Sequence, residues 1–253
     1  MEKKHLSAKA IPVNERLIVA LDVPTVDACK ALVSKLGESV VFYKLGLQIF
    51  MAGGYYELIE WLIERGKKVF VDLKFFDVPE TVKSAVQQLN HRQVTFATVH
   101  GNENILRAAV EVKSDLKILA VTVLTSLDRH DLEDLGFQCS VEDLVLSRAR
   151  RALAAGCDGV ISSGLEAVRL RSDLGEKFLI VSPGIRPVDN VQTDDQKRIV
   201  DVEQAFLNGA DYIVVGRPIR KASDPKVQAE NYQRRIAAVF AELHGEVAEE
   251  RGG

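Results

Sequence analysis

The segment Asp72-Leu73-Lys74-Phe75-Phe76-Asp77-Val78-Pro79 sets two carboxylates and an ammonium close together in the chain. It follows the apolar run Val69-Phe70-Val71 and precedes a helix-like stretch, so it reads as the C-terminal end of a strand. Residues i and i+2 of a strand share a side, roughly 7 Å apart. Asp72 and Lys74 therefore project together, and Asp77 follows at the turn. Such a cluster is costly to bury without a purpose. Asp22 and Lys44, at two earlier strand-like runs, supply a second pair of opposite charges. Opposite charges within about 4–6 Å favour each other's ionised forms. An array of this kind is equipped for acid–base and electrostatic work on an anionic ligand. One Asp–Lys pair alone would read as a structural ion network; two pairs plus Asp77 on one rim point to function.

The elements that must position these residues are legible as short apolar runs alternating with longer segments of helical periodicity. The strand candidates are Leu17–Leu21, Val40–Leu45, Lys68–Leu73, Phe96–Val99, Lys117–Leu124, Gly159–Ser162, Phe178–Val181 and Tyr212–Val215. Continuous apolar runs are typical of buried parallel strands. Leu58, Ile59, Leu62 and Ile63 mark one helical face; Val141, Leu144, Val145, Ala149 and Ala152 mark another; Ile236, Val239, Phe240 and Leu243 mark the last. Gly66, Gly156 and Gly209 stand where helices should stop before the next strand. Eight strand–helix units in 253 residues predict a (β/α)8 TIM barrel, a parallel eight-stranded barrel with outer helices. The runner-up is a doubly wound open sheet. That fold usually carries a Gly-rich turn after the first strand, where this chain has Asp22-Val23-Pro24-Thr25. One domain spans residues 1–253, with a core over about 15–243; residues 1–10 and 246–253 are expected to be mobile.

Barrel active sites lie at the C-terminal ends of the strands. There this chain places Asp22, Lys44 then Gly46, Asp72 with Lys74, His100-Gly101, Thr125-Ser126, Ser162-Ser163-Gly164, Ser182-Pro183-Gly184 and Gly216-Arg217-Pro218. Polar groups thus gather on one rim while the strand bodies stay apolar. Gly216-Arg217 after strand eight, with Gly184 after strand seven, predicts a phosphate site: glycine lets backbone N–H groups approach an anion, and arginine offers a bidentate fork. The polar stretch Arg186 to Arg198 is long enough to act as a lid. His100 reads as a packed strand-end histidine, His130 as solvated and Trp61 as packing. Ser126 and Ser163 have no evident base.

A net charge of −3 gives no electrostatic case for nucleic acid. No apolar run approaches the ~20 residues of a membrane helix, and the charged N-terminus lacks a signal-like apolar core. Cys29, Cys139 and Cys157 have neither paired nor metal-ligand spacing. These features predict a cytoplasmic protein with reduced thiols and no metal site.

The residues resemble a known family, the orotidine 5′-phosphate decarboxylases of bacterial type. The most specific element is D-x-K-x-x-D followed by proline and threonine: Asp72, Lys74, Asp77, Pro79 and Thr81. Supporting elements are Val19-Ala20-Leu21-Asp22, Phe42-Tyr43-Lys44-Leu45-Gly46, Leu124-Thr125-Ser126, Pro183-Gly184-Ile185-Arg186-Pro187, Asp194-Asp195-Gln196-Lys197-Arg198 and Gly216-Arg217-Pro218-Ile219. Phe76 and Glu80 depart from the pattern, where histidine and asparagine are more usual; neither belongs to the charge cluster. The resemblance implies decarboxylation of orotidine 5′-phosphate to UMP and CO2, the last step of pyrimidine biosynthesis, in a homodimer without metal or organic cofactor. It implies that Lys74 protonates C6 and Asp72 sits beside the leaving carboxylate. Lys44 and Asp22 would hold ribose hydroxyls, and Thr125 and Ser126 the pyrimidine edge. Gln196, Gly216 and Arg217 would grip the phosphate, with Pro183 and Arg186 also at the substrate. Asp77 and Thr81 would reach into the partner's site. Two other readings remain: a Mg2+-dependent sugar-phosphate decarboxylase or synthase of the same superfamily, and a barrel that binds a nucleotide phosphate without catalysis.

Overall fold

The computed structural model describes residues 5–185 and 200–250, with side chains as far as Ala241. Eight parallel strands close into a barrel in sequence order. They are β1 (Leu17–Ala20), β2 (Phe42–Leu45), β3 (Lys68–Phe75), β4 (Phe96–Val99), β5 (Lys117–Val121), β6 (Gly159–Ile161), β7 (Leu179–Ser182) and β8 (Tyr212–Val215). The ring closes by pairing Leu17, Ile18 and Val19 of β1 with Ile213, Val214 and Val215 of β8. Helices α1 (Val26–Leu36), α2 (Leu47–Met51), α3 (Tyr55–Ile63), α4 (Pro79–Asn90), α5 (Glu103–Val112) and α6 (Arg129–Asp134) follow the first five strands. After them come α7 (Val141–Ala154), α8 (Ala167–Leu174), α9 (Val202–Leu207), α10 (Arg217–Arg220) and α11 (Pro225–Glu250).

Local chemistry explains where helices begin and end. Thr25, Asn102 and Ser140 cap α1, α5 and α7 through side-chain oxygens that accept from backbone N–H groups. Each satisfies a donor that the first helical turn leaves without a partner. Pro79 opens α4, where its missing N–H costs nothing. Gly156 follows α7 with φ +93° and donates its N–H to Leu153, a left-handed stop that favours glycine.

Alternation along the strands divides the interior into two cores. Ile18, Phe42, Phe70, Phe96, Leu119 and Tyr212 point into the barrel. Phe96 touches three rings there, Phe42, Tyr212 and Phe70, at centroid distances of 5.1, 5.2 and 5.9 Å. The intervening residues, such as Val19, Tyr43, Val71 and Val99, face outward under the helices. Two residues beyond Phe42 and Phe70 come Lys44 and Asp72. The period of two that packs the barrel floor thus delivers charges to its upper rim.

Several boundaries differ from the expectations, among them those of β3, β5 and the terminal helix. β3 runs to Phe75, two residues past the expected end, so Lys74 belongs to the strand. β5 stops at Val121 rather than Leu124; Thr122 instead donates its hydroxyl to the Ile161 carbonyl and accepts from Arg148 at its own carbonyl. The terminal helix continues to Glu250, whereas the acidic tail was expected to lose order from Glu246. Alanine and glutamate are good helix formers, and an established helix extends through them readily. His5 to Ala10 fall in a stretch expected to be mobile, yet Leu6 and Ser7 are buried and Ser7 bonds Asp211. Residues 1–4 and 251–253 lie outside the described residues. The three cysteines are free, and burial pushes the Cys29 and Cys157 thiols up to about 12. Among the described residues no helix is long and apolar enough to cross a membrane.

Candidate active site

A cavity of about 470 Å³ opens at the C-terminal mouth of the barrel. Its floor is apolar: Ala20, Phe70, Val121, Ile161 and Val214. One wall carries Asp22, Lys44, Asp72 and Lys74. The loops after β5 and β7 contribute Thr125 with Ser126 and Pro183 with Gly184, and the loop after β8, beside Asp22, contributes Gly216 with Arg217. The apolar floor keeps the local dielectric below that of water, so forces from the charged wall act more strongly here than in water.

The four charges form a chain of alternating sign. Lys44 Nζ lies 3.3 Å from Asp22 Oδ1 and 3.2 Å from Asp72 Oδ2. Lys74 Nζ lies 2.9 Å from Asp72 Oδ1. Burial opposes ionisation of Asp72, but Lys44 and Lys74 together outweigh it and hold the carboxyl down to about 2. Burial also works against the charge on Lys44, and Asp72 and Asp22 more than compensate, raising its pKa. At neutral pH both groups are charged.

Lys74 differs from Lys44 in what remains open. The Lys44 side chain is 11% exposed and sits between two carboxylates. That of Lys74 is 35% exposed, and among the described residues its ammonium bonds only Asp72. An ammonium has three donors, so two of them face the cavity with no acceptor among the described residues. Lys74 also has φ +50°, in the left-handed region that L-residues seldom adopt. The β3–β4 register shifts between Val71 and Phe75 around it.

Most of the expected site residues come together. Lys44, Asp72, Lys74, Asp22, Thr125, Ser126, Pro183, Gly216 and Arg217 all line the cavity. Asp77 and Thr81 do not: both are exposed on the outer surface, and Asp77 Oδ1 accepts the N–H of Val78. The rim cluster of a single chain is therefore four charges rather than five. Arg186, Gln196 and the rest of the expected lid lie outside the described residues. His100 is half-buried, its ring 5.1 Å from that of Phe76. Burial, with Arg148 and Lys74 nearby, lowers its pKa and leaves it neutral at pH 7. His130 is exposed on α6. Trp61 packs against the core and under the Arg65 guanidinium.

Two contributors were given no role from the sequence. Thr98 is fully buried; its hydroxyl donates to Asp72 Oδ1 at 3.0 Å and accepts the Lys74 N–H at 2.9 Å. The signal was a lone hydroxyl in the apolar run Phe96–Val99, at an inward position. Gly46 was noted only as following Lys44. A Cβ there would stand 3.1 Å from Lys44 Nζ and 3.3 Å from Asp22 Oδ1.

Residues 15–232 match the model of the Orotidine 5′-phosphate decarboxylase / HUMPS family. The chain belongs to this family. It is 63% identical over 236 residues to the orotidine 5′-phosphate decarboxylase of Methylococcus capsulatus, covering 93% of this chain and 98% of that one. Identity to the Nitrobacter winogradskyi enzyme of the same name is 49% over 226 residues, covering 88% and 93%. Among solved structures, the orotidine 5′-phosphate decarboxylase of Lactobacillus acidophilus superposes with a TM-score of 0.78 at 35% identity, over 88% of this chain and 99% of that one.

Proposed function

We propose that this protein decarboxylates orotidine 5′-phosphate to UMP and CO2, the last step of pyrimidine biosynthesis, by electrostatic stabilisation of a C6 carbanion and without a metal ion. The observation that carries the proposal is the partly open ammonium of Lys74, fixed beside the ionised Asp72 over an apolar floor. Loss of CO2 from C6 leaves a lone pair in the ring plane, where the pyrimidine π-system cannot delocalise it. With no electron sink in the substrate, the protein must supply a fixed positive charge and a proton. Lys74 supplies both, and a cation already held in place needs little reorganisation as charge develops.

Asp72 stands beside the leaving carboxylate and anchors both lysines. Its repulsion of the substrate carboxylate, at ~4 Å and an effective dielectric of 20, is worth about 4 kcal/mol. Enzymes lower barriers by roughly 8–23 kcal/mol. Repulsion is therefore a minor contribution and carbanion stabilisation the larger one. Lys44 and Asp22 hold the ribose hydroxyls, and Thr125 and Ser126 meet the pyrimidine edge. Gly216 and Arg217, with Gln196, take the phosphate end, and Pro183 and Arg186 also meet the substrate. Phosphate binding far from the reacting bond can drive closure and exclude water.

The protein works as a homodimer in this reading, each barrel completing its partner's site with Asp77 and Thr81. The exposure of these two residues beside Phe76 and Val78, 68% and 61% exposed, supports it. Mixing inactive Lys74→Ala and Asp77→Ala proteins under subunit exchange should then recover activity. No recovery, with exchange demonstrated, argues against shared sites.

The test of the activity is the ultraviolet absorbance of orotidine 5′-phosphate incubated with purified protein in excess EDTA. Loss of the orotate-type band with formation of UMP is expected. A folded protein that leaves the band unchanged, but acts on sugar phosphates when Mg2+ is added, would assign it to the other activity of the superfamily. Binding of UMP without turnover of either substrate would mark a non-catalytic barrel.

A further inference from the structure

We propose that Thr98 is a positioning residue for this reaction: its hydroxyl ties the left-handed turn at Lys74 to the Asp72 carboxylate, so that the ammonium faces the cavity. The inference rests on the reading of Lys74 as the group that stabilises and protonates the carbanion.

The ladder shows why a hydroxyl is needed at this position. Phe70 and Val71 of β3 pair with Phe96 and Ala97 of β4 in regular register, and the pairing resumes only at Phe75 with Val99. The Phe75 carbonyl then accepts the N–H of His100 at 2.9 Å. Between these points β3 has residues that the ladder does not pair, and Lys74 is one of them. Its φ of +50° turns its N–H toward β4, where Thr98 Oγ1 accepts it at 2.9 Å. A side-chain oxygen thus takes the place of a ladder carbonyl. A strained backbone conformation persists only where its surroundings impose it, and this bond is a direct means of imposing it.

The same hydroxyl has one proton to give. It goes to Asp72 Oδ1 at 3.0 Å, the oxygen that also receives Lys74 Nζ at 2.9 Å. A closed circuit results: Lys74 backbone to Thr98, Thr98 to Asp72, Asp72 to the Lys74 ammonium. Each member fixes the next. Without the circuit, Asp72 and the Lys74 ammonium would still attract each other, but the angle at which the ammonium meets the cavity would be free to vary. Valine would fill the volume of Thr98, which is completely buried. What only a hydroxyl provides is the pair of bonds.

The experiment compares Thr98→Val, Thr98→Ala, Thr98→Ser and Lys74→Ala with the wild type, measuring kcat, KM for orotidine 5′-phosphate, Kd for UMP and Tm. Displacing a reacting group by a fraction of an ångström to an ångström can cost up to about 10²-fold. Loss of the hydroxyl should therefore lower kcat by about 10- to 100-fold in both Val and Ala variants, with KM and Kd changed by no more than about threefold. Thr98→Ser should recover kcat to within about threefold of wild type. The Ala and Ser pair carries the test if the Val variant does not fold. A lowered Tm with wild-type kcat in the folded variants would make Thr98 merely structural and overturn the inference. So would equal loss in Ser and Ala. If Lys74→Ala is inactive while Thr98→Val and Thr98→Ala keep wild-type kcat, this inference alone fails. If Lys74→Ala itself turns over normally, the assignment of Lys74 fails and this inference with it.

Discussion

The barrel carries a charge network at each end, and the two are put together in opposite ways. At the lower end, Asp211 and Arg171 have no exposed side-chain surface. Asp211 accepts from Ser7, Lys9, Arg171 and the Ile180 N–H. Arg171 donates to the carbonyls of Gly209 and Phe178 as well as to Asp211. Every strong hydrogen-bonding direction is occupied by the chain itself, and the partners come from the N-terminal segment, α8, β7 and the start of β8. At the upper end, the Lys74 ammonium has one carboxylate and an open cavity. The residue types are alike, yet one network holds elements together while the other keeps donors available. Buried ions are costly unless paired and bonded; the lower network meets that condition, and the upper one leaves part of it for a ligand to meet.

Substitutions at the two ends should accordingly separate activity from stability. The largest effect is expected for Lys74→Ala: kcat falls by at least about 10⁴-fold, because in the proposed mechanism one group supplies both the electrostatic and the proton-transfer contributions. Its Tm should fall by only a few degrees, since Asp72 keeps Lys44 as a counter-charge. Next comes Asp211→Asn, which removes the buried counter-charge of Arg171 and leaves it only the exposed Glu176. Breaking such a pair costs about 3–5 kcal/mol, and Tm should fall by roughly 10 °C in differential scanning calorimetry. The kcat of the folded fraction should be unchanged. A Tm loss for Lys74→Ala as large as that for Asp211→Asn would erase the distinction between the two ends.

A smaller effect is expected at Gly46. An alanine Cβ would press on Lys44 Nζ at 3.1 Å, and the flexible lysine can yield only by moving away from Asp22 or Asp72. Steady-state kinetics should show a kcat loss of about tenfold, with a Tm change near that of an ordinary surface substitution. The smallest effect concerns pH. The Asp72 pKa is depressed to about 2. Its contribution to stability is thus fully present above the ordinary aspartate pKa and is lost as pH falls through the depressed value. No Asp72 titration should be seen by NMR near pH 4 in the wild type, whereas Lys74→Ala, with one cation fewer, should bring it upward.

Much of the upper end was legible in the sequence, and little of the lower end. Asp22, Lys44, Asp72 and Lys74 could be placed on one rim because they end strands whose bodies are continuously apolar, and parallel strands order their ends. In the structure, period-two alternation sets Lys44 and Asp72 inward above Phe42 and Phe70. The shape of β3 was not legible. Its two extra residues and the left-handed Lys74 depend on Thr98, a partner 24 positions away across the ladder. Thr98 also looked like an ordinary β-branched strand residue. The Asp211 network was hidden for a similar reason: Ser7, Arg171 and Asp211 are far apart in the chain and none sits in a motif. N-terminal residues without helical or strand periodicity read as loose, while the bonds that hold Ser7 and Lys9 come from tertiary structure. Asp77 shows the opposite limit. It is prominent in the motif, and a single barrel gives it no place in its own cavity.

The most direct test of the central claim is exchange of the C6 hydrogen of UMP in D2O, followed by proton NMR. In the proposed mechanism decarboxylation and exchange share the same C6 carbanion, so a site that stabilises and protonates it must also form it from UMP by microscopic reversibility. Slow deuterium incorporation catalysed by the wild-type protein is expected, and none above background with folded Lys74→Ala. Undiminished exchange in Lys74→Ala, or its absence in a wild-type protein that decarboxylates orotidine 5′-phosphate, would contradict the claim.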